Sequence, residues 1–442
     1  MRIVHGYEQG RALLERRPGF ETNVPPSVER RNTELFGAAL SAVEGVRRIL
    51  ADVRERGDDA VRDYARRIDG QDLTSLEVPQ ERWAAAEQGL PTDLTAALYT
   101  AAGRIRGFHQ AAMPKAWQDD ARGYGETVVP LERVGLYVPG GTASYPSTVL
   151  MTAIPAKVAG VGQVVMCTPD PSPVVLAAAR IAGVDQLFQI GGAQAIGAMA
   201  FGTESVPQVD KVCGPGNIFV ALAKREVYGM VDIDGLYGPT ETMVIADDSA
   251  DPALCAADLL AQAEHDEMAS PMLLTTSAAM AERVTAEVER QLCTLDRRAI
   301  ARAAIDGQGV TVVVDTPEQA IALANAFAPE HVSLLVREPA KYVRLIQHAG
   351  GIFVGESSPE VIGDYVAGPS HTMPTGGSAR FASYLGVHHF LKHVPVVSLS
   401  VAQMRELGPS AMALGMAEGL TAHARAMELH LERPGRAQGG VR

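Results

Sequence analysis

The sequence has few aromatic residues and no long apolar run. Only 5% of its 442 residues are aromatic, while 47% are hydrophobic and Ala, Gly, Val and Leu dominate, a balance typical of soluble α/β proteins. No uncharged apolar stretch reaches the roughly 18 residues that cross a bilayer, and the N-terminus lacks an apolar signal segment. We therefore expect a cytoplasmic protein without a membrane partner.

Cysteine and positive charge are also scarce. The four cysteines fall in none of the paired spacings that indicate a zinc knuckle or a disulfide scaffold. Cys213 precedes Gly-Pro-Gly, and we interpret it as a small buried hydrophobe in a reducing compartment. The net charge of −13, with no basic run to offset it, argues against a nucleic-acid partner and against binding to an anionic membrane.

The pattern along the chain predicts two doubly wound α/β units, which are incomplete Rossmann-like parallel-sheet domains. Residues 28–110 read mostly as helix, and two series of short apolar strands alternate with helical stretches after them. The strands of the first series are 134–138, 164–167, 187–190 and 211–213, and those of the second are 243–246, 272–275, 310–314, 332–336 and 352–354. A helix is expected near 412–431, followed by a disordered polar end.

These patterns give a division of the chain. Residues 1–27 are expected to form an N-terminal segment, and residues 28–135 with 242–385 a first α/β domain. Residues 136–241 form a second α/β domain, and 386–442 a helical tail. The length also favours two or three domains over one core.

Glycine-rich loops follow three strands of the first series, at 139–141, 191–194 and 214–217. No Gly-x-Gly-x-x-Gly follows the first strand of either unit. Open α/β sheets bind ligands at the carboxyl ends of their strands, where glycine lets the backbone approach a phosphate or a ring. Tight turns explain about half of these glycines, but they do not explain the amide side chains of Gln194 and Asn217.

Four groups of polar residues could carry chemistry. Gln262 and His265 lie three residues apart in a helix-like run, on one face about a turn apart, as in the first half of a metal site. Glu330 and His331 are adjacent bases of different pKa, suited to two proton transfers.

The other two groups lie further along the chain. A Gly- and Pro-rich loop, 363–377, contains Asp364 and His371, and loops of this kind are usually functional. Glu418 and His423 lie on the expected C-terminal helix, where Gly419 suggests close packing. Taken alone, each of the four groups could also be a solvated turn or helix face.

Taken together, the motifs resemble the histidinol dehydrogenase family from about residue 30 to about residue 430. The segments that carry the resemblance are 134–147, 191–196, 214–217, 261–266, 328–331, 363–377 and 418–423. The resemblance implies an NAD- and zinc-dependent four-electron oxidation of L-histidinol to L-histidine through an aldehyde. It also implies a homodimer whose C-terminal segments cross over, so that active sites are shared.

The resemblance assigns roles residue by residue. The implied zinc ligands, which also bind substrate, are Gln262, His265, Asp364 and His423, and the catalytic pair is Glu330 and His331. The further implied substrate contacts are Thr240, His371 and Glu418, and the NAD contacts are Tyr137, Gln194 and Asn217. These roles place zinc and catalysis in the first α/β domain and NAD in the second, with Glu418 and His423 completing the partner's site.

Two residues depart from the family's usual pattern, and three other readings remain open. Tyr237 stands where Ala is usual, and Tyr384 lies in Ser-Tyr-Leu where Ser-Pro-Leu is common. Either change could reshape the pocket for another small alcohol, such as a sulfonated diol. A zinc hydrolase with Glu330 as base would leave Gln194 and Asn217 without a role. A non-catalytic relative would leave Glu330 and His331 without one.

Overall fold

The computed structural model describes residues 1–16, 32–140 and 144–432. Two compact units are present, and each is described by itself. The first comprises Met1–Ala112 and Leu131–Phe390, and the second Met113–Pro130 and Leu391–Arg442. The first unit contains two parallel sheets with helices around them, which confirms the predicted doubly wound α/β class. Among the described residues no helix is both long and apolar enough to span a membrane.

The first sheet of this unit has six parallel strands. In spatial order they are β1 (Arg2–His5), β11 (Val310–Val313), β10 (Ser270–Thr275), β9 (Glu241–Ala246), β12 (His331–Leu335) and β13 (Gly351–Val354). All residues of β9 and β12 are buried, as expected for inner strands covered on both faces. In this register His331 lies between Thr242 and Gly351, at the amino edge of the sheet.

The second sheet has five parallel strands. Their order is β6 (Gln186–Phe188), β5 (Gln163–Cys167), β4 (Arg133–Tyr137), β7 (Lys211–Cys213) and β8 (Asp232–Ile233). The loops at its carboxyl edge converge, since a Cβ on Gly140 or Gly191 would meet Pro169 within 3 Å. Gly140 and Gly191 belong to two of the expected ligand loops, whereas Gly141 lies outside the described residues.

Side chains cap the amino ends of several helices of the first unit. The helices of this unit are α1 (Tyr7–Leu13), α2 (Ala42–Arg56), α3 (Asp58–Asp69), α4 (Gln80–Gly89), α5 (Thr92–Ala111), α6 (Pro146–Ala159), α7 (Pro173–Ala182), α8 (Gly192–Phe201), α9 (Ile218–Val227), α10 (Pro252–Ala263), α11 (Ala278–Leu292), α12 (Arg298–Gly307), α13 (Pro317–Phe327) and α14 (Glu360–Tyr365). Ser41 and Glu44 form a capping box on α2, and Asp251 caps α10.

Three elements, one strand and two helices, pack differently from the grouping expected from sequence. Strand β1 falls within the expected N-terminal segment, yet it pairs with β11 as an edge strand of the first sheet. Helices α2 and α3 belong to the core of the second sheet, where Val46 and Leu50 join Ile196 and Met199. Apolar periodicity reveals that a helix has a buried face but not which sheet covers it. The domain boundaries given above remain a prediction.

The second unit combines a small antiparallel sheet with a helical hairpin. The strands, in the order β14 (Leu391–Val397), β3 (Tyr124–Pro130) and β2 (Trp117–Asp119), come from distant parts of the sequence. The hairpin pairs α15 (Val401–Ala417) with α16 (Thr421–Glu432). The expected disordered end after residue 432 falls outside the described residues.

Two expectations for this hairpin were wrong. The sequence predicted one helix over 412–431, whereas the chain turns between two helices. Gly419 lies in that turn with φ +74°, and a Cβ there would meet nothing within 4 Å. Gly419 therefore provides the left-handed backbone that ends α15, not close packing.

Candidate active site

Glu330 and His331 lie at the amino edge of the six-stranded sheet, where β12 begins, and both side chains are buried. Thr240 immediately precedes the neighbouring strand β9. Its hydroxyl lies 2.7 Å from Glu330 Oε2, and the Glu241 amide donates to the same oxygen at 3.3 Å. The register of β9 and β12 thus fixes the Glu330 carboxylate from two sides.

Gln262 and Asp364 extend this cluster. Gln262, near the end of α10, donates from Nε2 to Asp364 Oδ2 at 3.1 Å, and its Oε1 lies 3.0 Å from the Thr240 hydroxyl. Asp364 comes from α14, about a hundred residues further along the chain. Five of the expected site residues therefore meet in one place: Thr240, Gln262, Glu330, His331 and Asp364.

The imidazole of His331 lies between two carboxylates. Its Nδ1 is 3.6 Å from Glu330 Oε2 and its Nε2 is 3.6 Å from Asp364 Oδ1, too far for hydrogen bonds. Both ring nitrogens are buried and lack a hydrogen-bond partner among the described residues. Burial acts to lower the pKa of His331, but Glu330 and Asp364 outweigh it and raise the pKa.

Burial has the opposite effect on the glutamate. It raises the pKa of Glu330 to about 7, although His331 and the Thr240 hydroxyl act to lower it. A carboxyl group with this pKa can both accept and return a proton near neutral pH.

His371 joins the cluster through the backbone of Asp364. Its Nδ1 lies 2.9 Å from the Asp364 carbonyl oxygen, and its Nε2 lies 3.0 Å from the Thr148 hydroxyl on α6. Because a carbonyl oxygen accepts, Nδ1 carries the proton and Nε2 accepts from Thr148. The ring is thereby held in one tautomer and one orientation.

His265 is not on the helix with Gln262, so the expected one-turn spacing on a helix face was wrong. Helix α10 ends at Ala263, and the exposed His265 lies in the following turn. Beyond this turn the Asp266 carboxylate accepts from the Met268 amide at 2.7 Å in an Asx turn. His265 and Asp364 nevertheless influence each other electrostatically.

The donor set of this cluster is compatible with the zinc that the resemblance implies. Gln262 and Asp364 are already in contact, and His265 lies within electrostatic range of Asp364. Oxygen and imidazole donors of this kind suit zinc. Within the described ranges no three His, Cys, Asp or Glu side chains form a metal cluster.

The three expected NAD contacts lie at the carboxyl edge of the other sheet. The Tyr137 hydroxyl, at the end of β4, accepts from the Gly192 amide at the start of α8. Gln194 is fully buried on α8, and its Oε1 has no hydrogen-bond partner in the described part of the chain. Asn217 caps α9 by accepting from the Phe219 and Val220 amides. An unpaired buried amide oxygen beside converging glycine loops fits a ligand that supplies the missing partner.

Known proteins match this chain over nearly its whole length. The family model for histidinol dehydrogenase matches residues 36–431. A histidinol dehydrogenase of Dehalococcoides mccartyi (strain CBDB1) is 47% identical over 442 residues, covering 98% of this chain and 100% of the relative. One from Syntrophotalea carbinolica is 51% identical over 419 residues, covering 90% and 97%. The chain belongs to the histidinol dehydrogenase family.

A solved structure agrees with this assignment. The crystal structure of histidinol dehydrogenase from Elizabethkingia anophelis has a TM-score of 0.90 at 33% identity, covering 98% of both chains. The chain is therefore an oxidoreductase of the alcohol- and aldehyde-oxidising kind.

The two residues that depart from the usual histidinol dehydrogenase pattern are both accounted for by packing. Tyr237 is buried with its ring 4.8 Å from Lys224 Nζ, and burial raises the pKa of its phenol. Tyr384 packs edge-on against Phe108 and lies near the buried ring of His109. No hydrogen bond joins either side chain to Thr240 or Gln262 within the described residues.

Glu418 and His423 belong to the second unit. Glu418 caps the end of α15 and His423 lies in the first turn of α16. Both are exposed, and with Leu414, Leu420 and Met427 they line a cavity of about 390 Å³. Within this unit the two residues therefore line the same cavity.

Sequence reasoning missed three residues around His331. Phe353 on β13 packs its ring against the imidazole, with centroids 5.7 Å apart. Glu360 is fully buried and accepts hydrogen bonds from Thr242 and Ser333, and burial raises its pKa. Burial also raises the pKa of Asp258 to about 7. In the sequence Phe353 resembles an ordinary strand residue, and the two acids resemble ordinary helix residues, so no local signal distinguishes them.

Proposed function

We propose that this chain is an NAD-dependent, zinc-containing histidinol dehydrogenase, which oxidises L-histidinol to L-histidine through L-histidinaldehyde in histidine biosynthesis in the cytoplasm. The observation that carries the proposal is the buried His331 imidazole between Glu330 and Asp364, with both ring nitrogens unengaged. A buried base with free nitrogens is what removal of a proton from an alcohol requires. Family membership supports the substrate.

The two bases would act in turn. In its neutral form, His331 accepts the hydroxyl proton as the alcohol carbon loses hydride, which leaves an aldehyde. The flanking carboxylates that raise its pKa strengthen it as a base. Glu330 then removes a proton from water as the water oxygen attacks the aldehyde carbon. The resulting hydrate loses a second hydride and a proton to give the carboxylic acid.

The remaining residues would orient the reactants. Thr240 holds the Glu330 carboxylate through its hydroxyl, and His371 is fixed by Thr148 and the Asp364 carbonyl for a substrate contact. Gln262, His265 and Asp364, with His423, would hold zinc. When bound, zinc supplies an anchor for the substrate's nitrogen atoms, a template role rather than a redox one.

The carboxyl edge of the five-stranded sheet would hold the cofactor. Tyr137, Gln194 and Asn217 are the contacts, and the unpaired Gln194 oxygen supports a polar ligand there. When bound, NAD⁺ supplies the hydride acceptor, and two molecules are consumed for each histidinol.

We further propose a homodimer in which Glu418 and His423 complete the partner's site. Apolar side chains of the second unit support this, because they are exposed on both its sheet and its hairpin. They are Val394, Val396, Val397, Leu407, Leu414, Met416, Leu420 and Leu429. Exposed apolar surface of this extent indicates a protein interface.

A substrate panel with NAD⁺ tests the proposed function. Purified protein is incubated with histidinol, histidinaldehyde, and small diols with and without a sulfonate, and NADH absorbance is followed. We expect two NADH per histidinol and one per histidinaldehyde. Turnover of a sulfonated diol with none of histidinol would assign another alcohol as substrate, and product formed without NAD⁺ would indicate a hydrolase.

A further inference from the structure

A buried ion pair lies directly beneath one of the expected cofactor loops. Lys224 Nζ, on α9, is 2.5 Å from Asp234 Oδ1, just after β8, and the two side chains are almost completely inaccessible. Burying two charges costs free energy. Replacing a buried ion pair with apolar residues of similar size often leaves the stability of the protein unchanged or increases it. Stability alone therefore does not explain this ion pair, and the other contacts of the two side chains indicate its role.

Both partners bind the backbone of the same residue, Gly214. Asp234 Oδ2 accepts from the Gly214 amide at 2.7 Å, and Lys224 Nζ donates to the Gly214 carbonyl at 2.9 Å. Gly214 has φ +115°, and a Cβ there would lie 2.1 Å from the carbonyl oxygen of Tyr137. The ion pair thus holds a glycine, whose conformation and close approach no other residue could adopt, against the end of β4, where an expected NAD contact lies.

The loop that starts at Gly214 ends at Asn217, the expected NAD contact that caps α9. Lys224 lies two turns further along that same helix. One side chain therefore ties the helix to the first residue of the loop that precedes it. Tyr237 completes the arrangement, since its ring lies 4.8 Å from Lys224 Nζ in a cation–π contact and its hydroxyl has no hydrogen-bond partner among the described residues.

We propose that Lys224, Asp234 and Tyr237 are positioning residues for the dinucleotide, which hold the 214–217 loop in its binding conformation. The assignment gives Tyr237 a place on the cofactor side of the protein, instead of a role in choosing the substrate. It rests on the proposed function, because it takes NAD⁺ to be the ligand of this edge of the sheet.

The same two strands offer a matched control. At the amino edge, Lys211 of β7 pairs with Asp232 of β8 at 2.7 Å, and Lys211 also donates to the His389 carbonyl. This second pair lies at the opposite end of β7 and β8 from Gly214. The variant Lys224→Met/Asp234→Asn removes both charges yet keeps an acceptor for the Gly214 amide, and Lys211→Met/Asp232→Asn removes the same charges at the other edge.

Binding of NAD⁺ to the full-length protein is measured by titration calorimetry, alongside steady-state kinetics and thermal unfolding. Loss of one charge-assisted hydrogen bond to the loop predicts a Kd and KM for NAD⁺ raised about tenfold in the first variant. We expect little change in kcat at saturating NAD⁺ or in the KM for histidinol, and neither Kd nor KM for NAD⁺ should change in the control variant. An equal increase in both variants, or none in either, overturns the proposal.

Two variants of Tyr237 keep the test decisive if the first variant does not fold. Tyr237→Phe retains the ring and should bind NAD⁺ as the wild type does, whereas Tyr237→Ala removes the cation–π contact and should weaken binding about threefold. If only the KM for histidinol changes, Tyr237 acts in substrate selection. Its proposed role in positioning the 214–217 loop is then wrong. Absence of NAD⁺ binding by the wild type itself would refute the proposed function instead.

Discussion

The ring of Phe353 lies against the imidazole of His331, with centroids 5.7 Å apart and planes inclined by 34°. Because neither nitrogen of His331 has a hydrogen-bond partner in the described part of the chain, this contact is a principal restraint on the ring. Gly363 in turn leaves room for Phe353, since a Cβ there would lie 2.4 Å from Phe353 Cε1. The orientation of the proposed base thus depends on a glycine outside the set of proposed catalytic and binding residues.

Gly363→Ala should therefore reduce activity while the protein remains folded. The added methyl group displaces Phe353 and with it His331, and misplacement of a reacting group by about 1 Å costs up to ~100-fold in rate. Steady-state kcat and thermal unfolding are measured together. Gly103→Ala is the control, because a Cβ at that exposed helical glycine meets nothing within 4 Å, so activity should be unchanged. Full activity of Gly363→Ala would show that Phe353 does not orient His331.

Replacement of His331 and Glu330 should affect different half-reactions. We expect His331→Ala nearly to abolish NADH formation from histidinol, since His331 is the base that the proposal assigns to the alcohol proton. Glu330→Gln should chiefly slow the oxidation of added histidinaldehyde, because water is no longer deprotonated, and general-base losses are typically 100- to 10,000-fold, as an order-of-magnitude guide. Single-turnover absorbance with each substrate separates the two steps. Equal loss of both steps in both variants would contradict this division of labour.

Removal of metal should abolish activity without unfolding the first unit. Gln262 and Asp364 are supported by α10, α14 and their mutual hydrogen bond, so the elements that hold the proposed ligands do not depend on zinc. Activity is followed during dialysis against a chelator and after zinc is returned, with far-ultraviolet circular dichroism on the same samples. A collapse of the helical signal on chelation would instead identify the metal as structural.

The parts of the fold that could be predicted from sequence were those with strong local patterns. The buried parallel strands, such as β9 and β12, are continuous apolar runs between turns, and their positions were predicted closely. Strands β1, β2, β3, β8 and β14 were missed. Edge and antiparallel strands carry fewer apolar residues, and β14 pairs with β3 across more than two hundred and fifty residues of sequence.

The candidate site, too, could be predicted only where a local pattern or the family resemblance marked its residues. Local patterns singled out Gln262 and Asp364 separately, and the family resemblance placed them in one ligand set. Their hydrogen bond shows that the fold brings them together. Neither Phe353 nor the Lys224–Asp234 pair stands out in sequence, because an aromatic residue in a strand and two charges ten residues apart are ordinary features. Their significance comes from what they contact, which only the tertiary structure supplies.

His109 should make the protein less stable as the pH falls. It is fully buried on α5, and neither ring nitrogen has a hydrogen-bond partner within the described residues. Burial lowers its pKa to about 4, and the nearby His388 acts in the same direction. Between about pH 6.5 and pH 4 the unfolded chain therefore binds a proton that the folded chain does not, so stability is complete above this range and is lost on acidification through it.

The size of this effect can be measured by denaturant unfolding at pH 7.5 and at pH 5 for the wild type and His109→Leu. The shift in pKa corresponds to roughly 3 kcal/mol at the acid end of the range. His109→Leu should therefore lose less stability between the two pH values than the wild type does. His5→Gln is the control, because His5 is exposed and should follow the wild type. If the wild type and His109→Leu lose equal stability, His109 is not the acid-sensitive group.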